Sequence, residues 1–160
     1  MKVLRVYVDT SVFGGCFDPE FAAESIRFFD LVRAGRVKVL VSEVVLQELT
    51  KAPVRVLGLL RSLPAEALVQ LNLSREVIDL RNAYLAAGIL DPQWTDDATH
   101  VAAATVARAD AIVSWNFRHI VRLDKMKAYN AVNLMEGYGV LTIISPREVL
   151  PDDDREKDEE

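Results

Sequence analysis

The stretch VLRVYVDTS, residues 3–11, decides the fold. Val3 to Val8 form a short β-rich run that passes without a break into Asp9, Thr10 and Ser11, with Gly14-Gly15 just beyond. A run this short and this apolar, bounded by turn residues, reads as a strand buried on both faces. In open parallel sheets, sites form beyond the carboxyl ends of the strands, where the strand order reverses. Asp9 stands at such an end.

Working outward, strands and helices alternate. The spacing of Ile26, Phe29 and Val32 predicts a helix over about Phe21–Ala34, with Gly35 as its C-terminal cap. Val37–Val41 reads as the second strand, and Ser42 as the cap of a helix over about Glu43–Lys51. Pro53 and Pro64 bracket a shorter helix, and Leu68–Leu71 forms a third strand. Ser74 opens a helix to about Ala87, closed by Gly88, and Thr95-Asp96 opens an alanine-rich helix to about Arg108. Ala111–Ser114 and Leu141–Ile144 read as strands four and five, with helical stretches near Phe117–Arg122 and Tyr129–Glu136 between them. This alternation predicts an α/β domain: a central, mostly parallel sheet of about five strands, covered on both faces.

The length of 160 residues suits one domain, since domains run to roughly 100–150 residues. Its expected extent is residues 1–150, followed by an acidic, disordered tail over 151–160. The net charge of −5 argues against a polyanionic partner only until its distribution is seen. Of the 24 acids and 19 bases, seven acids and only two bases fall in the last ten residues, so the remainder is neutral. A single cysteine, Cys16, excludes an internal disulfide and a cysteine-rich zinc site. With no basic-then-apolar N-terminus and no apolar run near the ~20 residues of a membrane span, the expected setting is the cytoplasm.

Several segments bring acidic or amide oxygens to the expected sheet edge. Asp9 follows the first strand, Glu48 lies about a turn and a half into the helix after the second, Asp97 lies in the first turn of the helix before the fourth, and Asn116 follows the fourth. Clustered carboxylates repel one another, and a hard divalent cation, Mg²⁺ or Mn²⁺, removes that cost. It also supplies hydrolytic chemistry toward a phosphoryl group. Each residue has a plainer use: a turn at Asp9, a helix cap at Asp96 or Asp97, a solvated face at Glu48. Thr10, Ser11 and Ser114 are candidates to support Asp9 or the waters of a metal. Arg118, His119, Arg122, Lys125 and Lys127 form the densest basic stretch, read either as a hold on RNA phosphates, carried by Arg118, His119 and Arg122, or as a solvated face. His100, one turn beyond Asp97, reads as a packing residue, and Trp115 as core. Gly14-Gly15 lacks the spacing of a phosphate loop or a dinucleotide fingerprint. A haloacid-dehalogenase-type phosphatase would want an aspartate where Ser11 stands.

These residues resemble the PIN-domain nucleases, and within them the VapC-like toxins of prokaryotic toxin–antitoxin pairs. Val8-Asp9-Thr10-Ser11-Val12-Phe13-Gly14-Gly15 is similar to the opening motif. Ser42–Leu49 resembles the second, with its metal-binding glutamate at Glu48; Asp96–Ala104 resembles the third, with its acid at Asp97; Ile112–His119 resembles the fourth. The likeness spans nearly residues 3–150. It implies a three-layer α/β/α fold, a Mg²⁺- or Mn²⁺-dependent endoribonuclease cleaving RNA, a homodimer, and a small antitoxin protein as partner. It implies catalytic roles for Asp9, Glu48, Asp97 and Asn116, with metal held by Asp9, Asp97 and Glu48 and, as an additional candidate, Asp96. Many PIN enzymes carry an aspartate where this chain has Asn116, which supplies no charge to a metal. A non-catalytic RNA- or protein-binding module of the same fold is therefore the alternative.

Overall fold

The structure is a computed structural model that describes residues 2–151. The tail expected over 151–160 therefore lies, but for Pro151, outside the described residues.

Five strands form one sheet in the order β3-β2-β1-β4-β5, and every pairing is parallel. They are β1 (Leu4–Val8), β2 (Val37–Ser42), β3 (Leu68–Leu71), β4 (Ala111–Val113) and β5 (Ile143–Ile144). Tyr7 aligns with Leu40 on one side and with Ile112 on the other, which fixes the register at the centre. The expected parallel sheet of about five strands is present.

The connections carry α1 (Thr10–Gly15), α2 (Ala22–Arg33), α3 (Glu43–Lys51), α4 (Val54–Ser62), α5 (Arg75–Ala86), α6 (Thr95–Val106), α7 (Leu123–Met135) and α8 (Pro146–Val149). The path steps from β1 to β2 to β3 in one direction, returns across the sheet to β4, and ends at β5. Parallel crossovers are right-handed, so opposite directions of travel put their helices on opposite faces. α1 to α4 accordingly pack with one another, and α5 packs with α6 and α7. The result is a three-layer α/β/α domain. Its core includes Tyr7, Phe13, Phe28, Phe29, Leu40 and Ile112, all fully buried. The reversal of travel falls between β1 and β4, which places Asp9 and Ser114 at the crevice.

Four local expectations differ from the structure. The residues after Asp9 form the helix α1 rather than a loop, and Gly15 is there for space. A Cβ on it would lie 2.6 Å from the Ser25 hydroxyl and 2.8 Å from the Trp115 indole nitrogen. Phe117–Arg122 is a series of turns, not a helix. The Asn116 side-chain oxygen accepts the N–H groups of Arg118 and His119, and the Asn116 carbonyl accepts those of Ile120 and Val121. Helix α7 then starts at Leu123, ahead of the expected Tyr129, because its apolar residues form no single stripe by which its start could be read. Strand β5 is shorter than expected: Asn130 takes both the N–H and the carbonyl of Leu141, which lies before the strand.

Candidate active site

Asp9 extends the ladder of β1, its N–H donating to the Val113 carbonyl of β4 at 3.1 Å. Its carboxylate is buried and polarised by placement. Oδ2 accepts from the Ser11 hydroxyl at 2.8 Å and from the Ser114 hydroxyl at 2.7 Å. Those hydroxyls in turn accept the Trp115 and Asn116 backbone N–H groups, each at 2.9 Å. The first turn of α1 and the end of β4 are thereby tied through one oxygen of Asp9. The other, Oδ1, lies 3.4 Å from Nε2 of His100.

Glu48, on α3, turns inward. Its Oε1 accepts from the Thr10 hydroxyl at 3.1 Å and from His100 Nε2 at 2.6 Å. Burial raises the Glu48 pKa, but the His100 and Thr10 hydrogen bonds and the imidazole charge outweigh it and leave it below the ordinary value. His100, expected as packing, is fully buried and belongs to the site. Burial disfavours its charged form, yet Tyr7, Asp9 and Glu48 override that and raise its pKa well above 6.5. As an imidazolium it donates from both nitrogens, with Nδ1 directed at the Tyr7 hydroxyl at 2.8 Å. Tyr7 continues to the Ser42 hydroxyl at 2.7 Å. Ser42 does occupy the cap position of α3, but its side chain makes no capping bond there. The sequence signal for His100 was its spacing: three residues after Asp97 on a helix puts the two on one face.

Asp97 is held by the second histidine, whose Nδ1 donates to Asp97 Oδ2 at 2.7 Å. Burial and the charge of Asp9 leave the Asp97 carboxyl above its usual pKa despite that bond. His119 is itself fixed by two contacts: its carbonyl accepts the Tyr129 hydroxyl at 2.8 Å, and its ring lies 4.5 Å from that of Trp94. It is buried, so the residue expected on the RNA-binding face stands behind Asp97. Asn116 spends its side-chain oxygen on the turn that delivers His119. Asp96 is exposed, one position from Asp97.

Beside His119 opens a cavity of about 270 Å³ lined by Trp94, Arg118, Arg122 and Lys125, with Asp91 at its edge. Arg118 lies 5.3 Å over the Trp94 ring, and Arg122 pairs with Asp124 at 2.8 Å. Of the basic stretch, Arg118, His119, Arg122 and Lys125 line this cavity and Lys127 does not; His119 joins it to Asp97.

The donor set suits a divalent ion. Asp9, Glu48 and His100 each offer one ligand atom, and these atoms lie within 4.8 Å of one another. Carboxylate oxygen and imidazole nitrogen are ordinary ligands for first-row divalent metals.

Neither a family model nor a curated protein matches the sequence. Solved structures do match. One is a chain of VapBC2 from Rickettsia felis, whose crystal structure is of VapBC2 bound to a DNA fragment from their promoter. The match covers 89% of this chain and 98% of that one, with a TM-score of 0.56 and 14% sequence identity. The likeness is one of fold, and with it the PIN-like architecture expected from the four motifs is present. No described helix is long and apolar enough to cross a membrane.

Proposed function

We propose that this chain is a Mg²⁺- or Mn²⁺-dependent endoribonuclease that acts as the toxin of a toxin–antitoxin pair. The observation that carries the reading is the meeting of Asp9, at the end of β1, with Glu48, from α3, their donor atoms in reach of one ion together with His100; Asp97 lies near enough to feel the charge of Asp9. The VapC-like fold supports it.

In this reading Asp9, Glu48 and Asp97 hold the ion. When bound, it supplies Lewis acidity toward a phosphodiester and makes water a better nucleophile. Ser11 and Ser114 keep Asp9 in one rotamer, so that Oδ1 faces the crevice. Thr10 does the same for Glu48, and His119 for Asp97. Arg118 and Arg122, which line the adjoining cavity, meet the phosphates of RNA. Asn116 serves by shaping the turn under His119 rather than by binding metal. The antitoxin partner and a homodimer are part of the same proposal.

Incubation of purified protein with single-stranded RNA and Mg²⁺ or Mn²⁺ tests it, repeated with Asp9→Asn and Asp97→Asn. Metal-dependent cleavage lost in both variants is expected; cleavage unchanged by both would sink the site. Co-expression with the product of a short adjoining reading frame, where the genome carries one, followed by size-exclusion chromatography with light scattering, tests the antitoxin and the dimer. A second reading, a non-catalytic binding module, is favoured by one observation: His100 and His119 give the carboxylates of the cluster hydrogen-bond partners of their own. Calorimetric titration with Mn²⁺ separates the two, since the binding module needs no Asp9-dependent ion.

A further inference from the structure

The acidic cluster contains an imidazole that a set of oxygen ligands alone does not require. His100 has no exposed surface, yet its Nε2 lies 2.6 Å from Glu48 Oε1 and 3.4 Å from Asp9 Oδ1. Ligands about 2.0–2.2 Å from one metal sit roughly 3 Å from one another, so these spacings need only a small adjustment to close on an ion. Resting on the reading above, we propose that His100 is a direct nitrogen ligand of this centre, which therefore selects Mn²⁺ or a similar first-row transition ion over Mg²⁺.

Three features support it. The first is the tether on the far side of the ring. A metal-bound histidine donates its other N–H to a fixed acceptor, which sets the tautomer and the ring plane. His100 Nδ1 meets the Tyr7 hydroxyl at 2.8 Å, and Tyr7 meets Ser42 at 2.7 Å. Both partners are fully buried on the central strands β1 and β2. Ser42 gives its side chain to this chain of bonds and leaves α3 without a side-chain cap.

The second is the orientation of the two carboxylates. Asp9 Oδ2 is occupied by two hydroxyls, which leaves Oδ1 for the centre. Glu48 Oε1 is aimed at the same nitrogen and steadied by Thr10. An ion entering here takes the place of the Nε2 proton, which passes to solvent, while the Nδ1–H bond to Tyr7 is kept.

The third is metal chemistry. Mg²⁺ favours oxygen ligands and retains its waters, whereas Mn²⁺ and the later first-row ions accept imidazole. A centre that adds one imidazole to its carboxylates gives the transition ions an advantage that an all-carboxylate centre lacks.

The test is a magnetic-resonance measurement on the full chain loaded with one equivalent of Mn²⁺. Electron spin-echo envelope modulation is expected to show a directly coordinated imidazole nitrogen. Competition with Mg²⁺, followed by the free-Mn²⁺ signal, is expected to need at least about a tenfold excess of Mg²⁺ to displace half the Mn²⁺. Tyr7→Phe is expected to keep the nitrogen signal and weaken Mn²⁺ binding about 10–100-fold. The wild-type spectrum decides the matter even if His100→Asn does not fold. Mn²⁺ held tightly but by oxygen alone overturns the proposal and leaves the carboxylate centre standing. No Mn²⁺ binding at all overturns both.

Discussion

His119 holds Asp97 in place, with Nδ1 of the imidazole 2.7 Å from Oδ2 of the carboxylate. The ring is braced from behind by Trp94, and the Tyr129 hydroxyl fixes the His119 backbone. Removing the imidazole frees Asp97 to rotate without disturbing the backbone bond. His119→Ala is therefore expected to lower metal affinity and RNA cleavage about 10–100-fold, as loss of a ligand's hydrogen-bond partner does. Mn²⁺ titration and a cleavage assay on a variant with a wild-type circular dichroism spectrum check this. Unchanged affinity and rate together would show the bond to be idle.

Gly15 makes a steric prediction. Trp115 donates its indole N–H to the Ser25 hydroxyl at 2.8 Å, and Gly15 lies against that bond. A methyl group at Gly15 would meet both partners at under 3.0 Å. Gly15→Ala is expected to cost about 1–3 kcal/mol, the usual range for overpacking a well-filled core. The neighbouring Gly14→Ala meets nothing within 4 Å and serves as the control. Denaturant midpoints of the two variants are the measurement, and equal midpoints would contradict the packing.

The same pair of glycines shows where sequence reading stops. Strand and helix order was legible because two-sided burial writes near-continuous apolar runs into β1, β2 and β4. The places of Asp9 and Glu48 followed from strand ends and helix starts. What escaped was set by contacts distant in sequence. Nothing near Gly15 in the sequence signals the close approach of Trp115 and Ser25 that makes room for α1. His100 looked like packing because its partners lie 93 and 52 residues away, at Tyr7 and Glu48. Asn116 is the exception, since its oxygen is taken by N–H groups only two and three residues on, in a local turn. The resemblance placed the acids, and the structure added the two histidines that hold them.

Asn133 carries a buried polar network between the helices of one face. It is fully buried and accepts a short hydrogen bond from the Tyr84 hydroxyl. Its amide donates to the Thr105 hydroxyl at 3.3 Å and to Asn130 at 3.2 Å. Asn133→Leu leaves the Tyr84 hydroxyl with Thr105 alone and removes a donor to Asn130. A loss of about 2–4 kcal/mol is expected, from leaving buried groups of one network unsatisfied. The site lies elsewhere, so metal affinity of the folded variant should match wild type. Chemical denaturation checks the first part and calorimetry the second; a stability loss below about 0.5 kcal/mol, within the range of an ordinary surface change, would contradict the network.

Alkaline pH should loosen the domain through groups held in their protonated forms. Burial raises the pKa of Tyr84 far above 10.0, against the pull of its bonds to Thr105 and Asn133. Burial does the same to Tyr129, helped by the charge of Asp97. Cys16 is raised from 9.0 to about 11, again by burial first, with Asp30 adding and Arg33 opposing. A group whose pKa is higher folded than unfolded binds its proton more tightly in the folded state. Its contribution is complete below the unfolded pKa and is lost as pH rises toward the folded one. Stability should therefore decline from pH 7, where unfolded histidine has largely lost the proton that folded His100 keeps, fall further past about 8.5 as unfolded cysteine ionises, and fall more steeply past about 10, where unfolded tyrosines ionise. Denaturant midpoints from pH 7 to 11 would trace this. Tyr129→Phe separates the causes: it gives up the bond to the His119 carbonyl, about 1 kcal/mol at neutral pH, but removes one ionising group. Its stability curve should start lower and descend less steeply above pH 10. A slope equal to wild type would show that Tyr129 ionises as readily folded as unfolded.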